Sequence, residues 1–156
     1  MDFDDNAIAE ITTAGLLHDI GKIIIPTSIL NKKGRLTDEE YAEIKKHPEI
    51  GFRILNSVPS MRNIARIVLS HHERIDGKGY PSGLKGDDIP IESKIIGVAD
   101  AVEAMLNDRT YRKKLTKRQC KDELIKFRGT QFCKDIVDIV LANFDDIYEM
   151  ATEIVF

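Results

Sequence analysis

The side chains best suited to metal chemistry in this 156-residue chain are its four histidines. His71 and His72 are neighbours at the end of an apolar helical pattern, His18 stands directly before Asp19, and His47 follows another helical pattern. Imidazole and carboxylate donors without thiolates suit iron, manganese, zinc, nickel or cobalt, and such a set can hold more than one ion. These residue types therefore predict a metal site built from the ends of several helices.

Asp100 is a further candidate ligand because of where it stands in the sequence. Residues 92–106 are apolar on nearly every side, which is typical of a central, buried helix, and Asp100 lies in the middle of that segment. Asp19 has two oxygens and could bridge two ions. Each of these residues alone is more often an ordinary surface or core group. The combination of every histidine with a mid-helix aspartate is what favours a shared site.

Such a site could cleave a phosphodiester. Two neighbouring divalent ions lower the pKa of a water molecule and clamp the oxygens of a phosphoryl group. Lys22, one helical turn after Asp19, could stabilise the negative charge of the transition state. Arg109 and Arg112 follow Asp100 closely and could reach a phosphate. Alternatively, Lys22 is only a solvated lysine after a helix end, and the two arginines belong to a solvated basic turn.

The long loop at residues 73–91 is the other functional candidate. Loops of this length inside a compact domain usually have a function of their own. Gly77 and Gly79 would let the backbone come close to a ligand. Tyr80 could stack on a nucleobase or pack beneath the loop.

Helical patterns occupy most of the remaining chain and predict an all-α fold. Asp5 or Asn6 could cap a first helix that Gly21 terminates, and Ile23, Ile24 and Ile25 are interpreted as a buried connector. Capping boxes begin helices at Thr37 and Thr116. The predicted helices are 5–17, 37–46, the segment from Pro48, 61–72, 92–106, 116 to about 128, 133–144, and a weakly patterned last stretch at 145–156.

Composition indicates one globular domain over residues 1–156. Apolar residues make up 42% of the chain and charged residues 31%, and the net charge of -3 argues against a polymeric nucleic acid partner. The first five residues include three aspartates, where a secretory signal would be basic, and no apolar run could span a bilayer, so a cytoplasmic location is expected. Cys120 and Cys133 fit neither a metal motif nor a disulfide framework.

Two motifs resemble the HD-GYP family of the HD superfamily of metal-dependent phosphohydrolases. The first is His18-Asp19, followed by Gly21-Lys22, and the second is Gly79-Tyr80-Pro81 at the end of the specific stretch 71–81. Further family-like positions run in the same order over roughly residues 14–115, with 116–156 as C-terminal helices.

This resemblance implies an HD-superfamily helical bundle that hydrolyses cyclic di-GMP, or a related cyclic dinucleotide, to linear pGpG and/or GMP. It implies two or three divalent ions, commonly iron or manganese. It makes Asp19 and Lys22 catalytic, and it places Gly79, Tyr80, Arg109 and Arg112 in the substrate pocket. The metal ligands it implies are His18, Asp19, His47, His71, His72 and Asp100.

The resemblance also has departures. The family usually has a further histidine on a helix upstream of His18, and this chain has none there. The expectation is a bundle without the family's first metal-ligand helix, and the alternative function is a catalytically impaired module that binds cyclic dinucleotides or regulates a partner. Thr110 stands where the family usually has proline, and Glu103 where it often has aspartate. Candidate partners are sensor or receiver domains, diguanylate cyclases and a second copy of the chain.

Overall fold

The computed structural model describes residues 3–108 and 113–153, and within these ranges the chain is helical with no β-strand. Residues 128 and 132 form an isolated bridge. The all-α prediction is confirmed. The α-helices are α1 (Asp5–Leu17), α2 (Thr27–Leu30), α3 (Asp38–Ile44), α4 (His47–Asn56), α5 (Arg62–Leu69), α6 (Ile91–Leu106), α7 (Lys117–Phe127), α8 (Lys134–Ala142) and α9 (Phe144–Glu153), with 3-10 turns at Ile20–Ile24, Pro59–Met61 and Gly86–Asp88.

The two predicted capping boxes form as expected. The hydroxyl of Thr37 accepts from the backbone amide of Glu40 at 3.2 Å, and the Glu40 carboxylate accepts from the Thr37 amide at 2.7 Å. Thr116 and Gln119 form the same reciprocal pair at the start of α7. Each box satisfies two amide groups that a helix N-terminus otherwise leaves without a partner.

The segment after α1 differs from its prediction. Asp4 caps α1, accepting from the amide of Ala7 at 2.7 Å, so neither Asp5 nor Asn6 does so. Gly21 does not terminate α1, because it lies inside the 3-10 turn Ile20–Ile24. Ile23 and Ile24 are exposed, and the interpretation as a buried connector is right only for the last isoleucine of the three, residue 25.

Helix α6 lies between two apolar clusters and packs into both. Its Val98 and Val102 join one cluster with Leu124 of α7, and its Ile96 joins the other with Val68 of α5. Burial of apolar surface on both sides fixes this helix, as its continuous apolar pattern predicted. Asp100 is thereby held in the centre of the fold. A single domain over residues 1–156 stays a prediction.

None of the helices in the described ranges is both long enough and apolar enough to cross a bilayer.

Candidate metal centre

The six predicted ligands lie together, although they come from separate parts of the chain. His18 follows the last residue of α1, His47 is the first residue of α4, and His71 and His72 come directly after α5 and its capping residue. Helix α5 ends at residue 69, before the predicted end at residue 72, and this earlier end allows both neighbours to face one site. The remaining two, Asp19 and Asp100, come from the start of a 3-10 turn and the middle of α6.

Short distances join these side chains into one cluster. The Nε2 atom of His18 is 3.6 Å from an Asp100 oxygen and 3.5 Å from Asp19 Oδ2. The Nε2 atom of His47 is 3.3 Å from Asp19 Oδ1 and 3.2 Å from Nε2 of His71. Carboxylate and imidazole donors thus meet at one point in the fold.

Three histidines are oriented in the same way, by the free carbonyls at helix C-termini. The Nδ1 atoms of His18, His47 and His71 donate to the carbonyls three residues earlier, at 2.6, 2.8 and 2.5 Å. Those carbonyls belong to the last turns of α1, α3 and α5, where a helix has no partner for them. A bond to Nδ1 fixes the ring and presents Nε2 as a metal donor.

The contact between His47 and His71 shows that the donor set fits a cation. A carbonyl oxygen only accepts, so Nδ1 of each ring carries the proton, and Nε2 of each neutral ring carries a lone pair. Two such nitrogens 3.2 Å apart cannot satisfy each other by a hydrogen bond. Asp19 Oδ1 is buried beside them without a hydrogen-bond partner among the described residues. A bound cation would satisfy all three atoms.

His72 completes a group of three imidazoles that could hold a metal ion. Ligand atoms of His47, His71 and His72 lie within 4.8 Å of one another. The ring of His72 is centred 4.0 Å from that of His71 and 4.9 Å from that of His47. Because a metal ion needs ligands that converge from different directions, this crossing of rings is suitable.

Burial keeps most of these rings neutral. It lowers the pKa of His47, lowers that of His71 to about 4, and, with the neighbouring His71 as the next cause, lowers that of His72 to about 3. Desolvation disfavours the charged form of a histidine. Neutral imidazole is the form that binds metals, so these rings are ready to bind at neutral pH.

His18 and Asp100 behave differently, as an interacting pair. The neighbouring Asp100 carboxylate, 3.6 Å away, raises the pKa of His18 against the opposing effect of burial. Burial alone would raise the pKa of Asp100, but His18 and the other nearby imidazoles lower it to about 2. Asp100 is therefore ionised, and its carboxylate beside His18 is in the form that binds a cation.

Lys22 lies beside the cluster and contacts Asp19. Its ammonium donates to Asp19 Oδ2 at 2.6 Å. Burial works against ionisation of Asp19, but the hydrogen bond and charge of Lys22 lower the pKa of the carboxyl overall. Asp19 is thus a carboxylate with one oxygen on Lys22 and the other facing His47.

Comparisons with known proteins place the chain in a family. The sequence model of the HD domain family matches residues 1–136. The chain belongs to the HD domain family. One solved structure, that of the HDG"Y"P protein Bd1817 from Bdellovibrio bacteriovorus, has the same fold with a TM-score of 0.70 at 21% identity, over 87% of this chain and 43% of that one. The resemblance drawn from the sequence is confirmed.

Curated relatives of this HD domain are phosphodiesterases by name. The 3'3'-cGAMP-specific phosphodiesterase 2 of Vibrio cholerae is 41% identical over 138 residues, which are 87% of this chain and 26% of that protein. A cyclic di-GMP phosphodiesterase of Thermotoga maritima is 43% identical over 136 residues, which are 86% of this chain and 37% of that protein. The chain spans only about a quarter to two fifths of the length of these relatives.

Two glycines of the HD domain matter for a reason that the sequence analysis missed. A Cβ on Gly21 would lie 2.0 Å from the carbonyl oxygen of His47, and a Cβ on Gly97 would lie 2.8 Å from that of His71. The backbone that carries each histidine therefore packs directly against a glycine. The signal that could have found Gly97 is a glycine inside an otherwise apolar helix, which often marks a close backbone approach.

Gly79 and Tyr80 have structural contacts at the site. A Cβ on Gly79 would lie 2.5 Å from the backbone of Glu73 and Arg74, so this position needs glycine for packing. The ring of Tyr80 packs on His72, with centroids 4.8 Å apart and planes inclined by 32°. Gly79 therefore supports the loop, and Tyr80 forms a wall of the site.

Two side chains that sequence reasoning passed over fasten the loop. Glu73 accepts from the amides of Ser82 and Gly83 at 2.7 and 3.1 Å. Arg74 donates to both oxygens of Asp76, at 2.9 and 2.7 Å, and to the side chain of Gln131 at 2.9 Å. The loop is thus tied both to itself and to the connection between α7 and α8.

Two cavities meet at the cluster. One, of about 480 Å³, reaches it from the side of Lys22, and the other, of about 400 Å³, from the side of α6. Both are lined by Tyr41, His72, Tyr80 and Asp100. Tyr41 was not among the predicted site residues. Arg109 and Arg112, which were predicted to line the substrate pocket, lie outside the described residues.

Proposed function

We propose that this HD domain holds divalent metal ions and hydrolyses a phosphodiester bond of a cyclic dinucleotide, with cyclic di-GMP as the first candidate and pGpG and/or GMP as products. The observation that supports it most is the 3.2 Å approach of His47 Nε2 to His71 Nε2 beside the unpartnered oxygen of Asp19. Buried donors arranged in this way are better suited to a cation than to any protein group.

The names of the relatives support the choice of substrate. The two curated proteins described above act by name on 3'3'-cGAMP and on cyclic di-GMP. The matches cover 87% and 86% of this chain. A cyclic dinucleotide is therefore the substrate class that we assign to the site, and preference between the two is left to a substrate panel.

The proposed ligands are His18, Asp19, His47, His71, His72 and Asp100, with Asp19 as the bridge. Six donors from imidazoles and carboxylates suit two or three ions, and iron and manganese match this donor type. The ring of Tyr80 shields one side of His72, which restricts the access of water to that ligand. Gly79, Arg109 and Arg112 remain proposed members of the substrate pocket.

Bound divalent ions would supply a water of lowered pKa and neutralise charge on the phosphoryl oxygens. The residues of the chain add orientation and positive charge. Carbonyls at three helix ends hold the imidazoles in place, so little rearrangement is needed as charge develops. Lys22 already lies against Asp19 at 2.6 Å, and its ammonium is positioned to attract the phosphate oxygens of a substrate in the adjoining cavity.

Hydrolysis of cyclic di-GMP by the metal-loaded chain tests the proposal. Protein purified without oxygen is loaded with Fe²⁺ or Mn²⁺ and assayed by chromatography for pGpG and GMP. We expect turnover that ends on chelation and is lost in Asp19→Ala, but is retained in Asp122→Ala, which changes an exposed aspartate of α7. Metal uptake and cyclic di-GMP binding without turnover would instead identify a binding or regulatory module.

We further propose that the protein works with sensor domains, receiver domains or diguanylate cyclases, that it forms a homodimer, and that it is cytoplasmic. The oligomeric state and binding partners of the protein test the first two of these points.

A further inference from the structure

Lys94 is a buried cation without a strong partner. Its side chain is 9% exposed, and within the described part of the chain its charged partner is Asp87, 3.5 Å away and fully exposed. Lysine is rarely buried to this extent unless it is paired. An exposed carboxylate at this distance contributes little, because water screens it. The ammonium therefore has capacity for another anion.

The position of Lys94 places it near the metal centre but apart from it. It stands six residues before Asp100 on α6, about 9 Å along the axis at 1.5 Å per residue. Both residues line the cavity of about 400 Å³, together with His72 and Tyr80. Lys22 lines the second cavity, and Asp100, His72 and Tyr80 line both cavities. One ligand can thus extend from Lys22, past the cluster, towards Lys94.

Among the described residues of this cavity, the other cations are either paired or exposed, so Lys94 is the buried cation that is available to a ligand. Arg74 is held by both oxygens of Asp76, and Lys78 is exposed. Glu73 uses one of its oxygens to accept two backbone amides, and its other oxygen is buried without a hydrogen-bond partner among the described residues.

We propose that Lys94 binds the second phosphate of the cyclic dinucleotide, the one that is not being hydrolysed. This inference rests on the proposed function. A cyclic dinucleotide carries two phosphates on opposite sides of one ring, so a site that places one phosphate at the metal centre must also accommodate the other. A buried ammonium that lines the cavity beside the metal centre supplies the charge that this phosphate needs.

The test compares Lys94→Met with Asp87→Asn on two substrates. Cyclic di-GMP has a second phosphate, and bis(p-nitrophenyl) phosphate has only one. We expect Lys94→Met to raise KM for cyclic di-GMP roughly tenfold, as for one lost charge-assisted hydrogen bond. The increase in KM for bis(p-nitrophenyl) phosphate should be far smaller. Lys94→Arg should restore binding, and Asp87→Asn should keep KM within about twofold.

Each other outcome overturns the inference. If Asp87→Asn raises KM for cyclic di-GMP as much as Lys94→Met does, Lys94 only anchors the 3-10 turn Gly86–Asp88. If Lys94→Met raises KM equally for both substrates, the lysine acts on the fold or on the metal centre. Should Lys94→Met not fold, Lys94→Gln takes its place, and calorimetric binding of cyclic di-GMP replaces KM where turnover is slow. A wild-type chain that neither binds nor hydrolyses cyclic di-GMP refutes the proposed function itself.

Discussion

The Nε2 atoms of His47 and His71 lie 3.2 Å apart, and the Nδ1–H group of each ring donates a hydrogen bond to a carbonyl at the end of a helix. The helix ends thus determine which nitrogen faces the site. Because the carbonyls would otherwise lack partners, the same bonds stabilise the ends of α3 and α5. Positioning of the donors and stability of the helices are consequently coupled.

Replacing Lys22 with methionine should lower kcat for cyclic di-GMP while the metal stays bound. The ammonium contacts Asp19 Oδ2, leaving Oδ1 and the imidazoles unchanged. Loss of one preorganised donor to a developing charge typically costs about 10²- to 10³-fold in kcat. Steady-state kinetics and metal content are measured together, with Lys46→Met, an exposed lysine paired with Glu43, as control. Loss of metal along with activity would contradict this role.

Gly21→Ala and Gly15→Ala form a matched pair for the packing against His47. The new methyl group at Gly21 would meet the His47 carbonyl at 2.0 Å, whereas nothing lies within 4 Å of a Cβ at Gly15. We expect Gly21→Ala to lose about 1–3 kcal/mol or more of unfolding free energy by overpacking. Gly15→Ala, inside α1, should gain up to about 1 kcal/mol. Denaturant unfolding measures both, and equal stabilities would refute the close approach.

Tyr80 should act through its ring rather than its hydroxyl. The ring packs on His72 at 4.8 Å, and Tyr80→Phe keeps that contact while Tyr80→Ala removes it. We expect Tyr80→Ala to lower kcat/KM by roughly tenfold or more, the scale of one lost aromatic stacking contact. Tyr80→Phe should stay within about twofold of the wild type. If phenylalanine is as damaging as alanine, the hydroxyl has a role that the packing does not explain.

Asp76 should make folding stability depend on pH at the acidic end. The hydrogen bonds from Arg74 lower its pKa from 3.8 to about 2. Since the pKa is lower in the folded state, the pair stabilises the fold above the ordinary value, and this stabilisation is lost as pH falls towards about 2. Asp76→Asn should cost up to about 1 kcal/mol at neutral pH, because the pair is partly exposed.

Urea unfolding of wild type and Asp76→Asn over a series of pH values provides the measurement. The difference in unfolding free energy should narrow on acidification. A difference that stays constant from neutral to acidic pH would show that Arg74 does not perturb Asp76.

Local sequence signals were sufficient for most helices. The capping boxes at Thr37 and Thr116 fixed two helix starts, because the box depends on residues three apart and needs no tertiary context. The all-round apolar segment ending at Leu106 correctly gave the central helix. The order of the motifs was enough to predict that the histidines and aspartates lie together, because motif order carries information about the fold that periodicity lacks.

Other features depend on tertiary contacts that no local pattern contains. Gly21 looked like a helix terminator, but its role is to let the His47 carbonyl approach, and that contact is remote in sequence. Ile23 and Ile24, at the end of the 3-10 turn Ile20–Ile24, are apolar yet exposed, and only the isoleucine that follows the turn is buried. The bond from Arg74 to Gln131 joins residues 57 positions apart. Lys94 drew no notice in the sequence because the burial of its side chain is a tertiary property that no local pattern contains.

The central claim is that these imidazoles and carboxylates bind metal ions. Anomalous X-ray scattering from crystals of anaerobically purified, Fe- or Mn-loaded protein tests it most directly. We expect at least one ion within coordinating distance of His47, His71 and Asp19, with further density towards His18 and Asp100. A well-ordered crystal whose metal-loaded protein shows no anomalous peak among these side chains would contradict it.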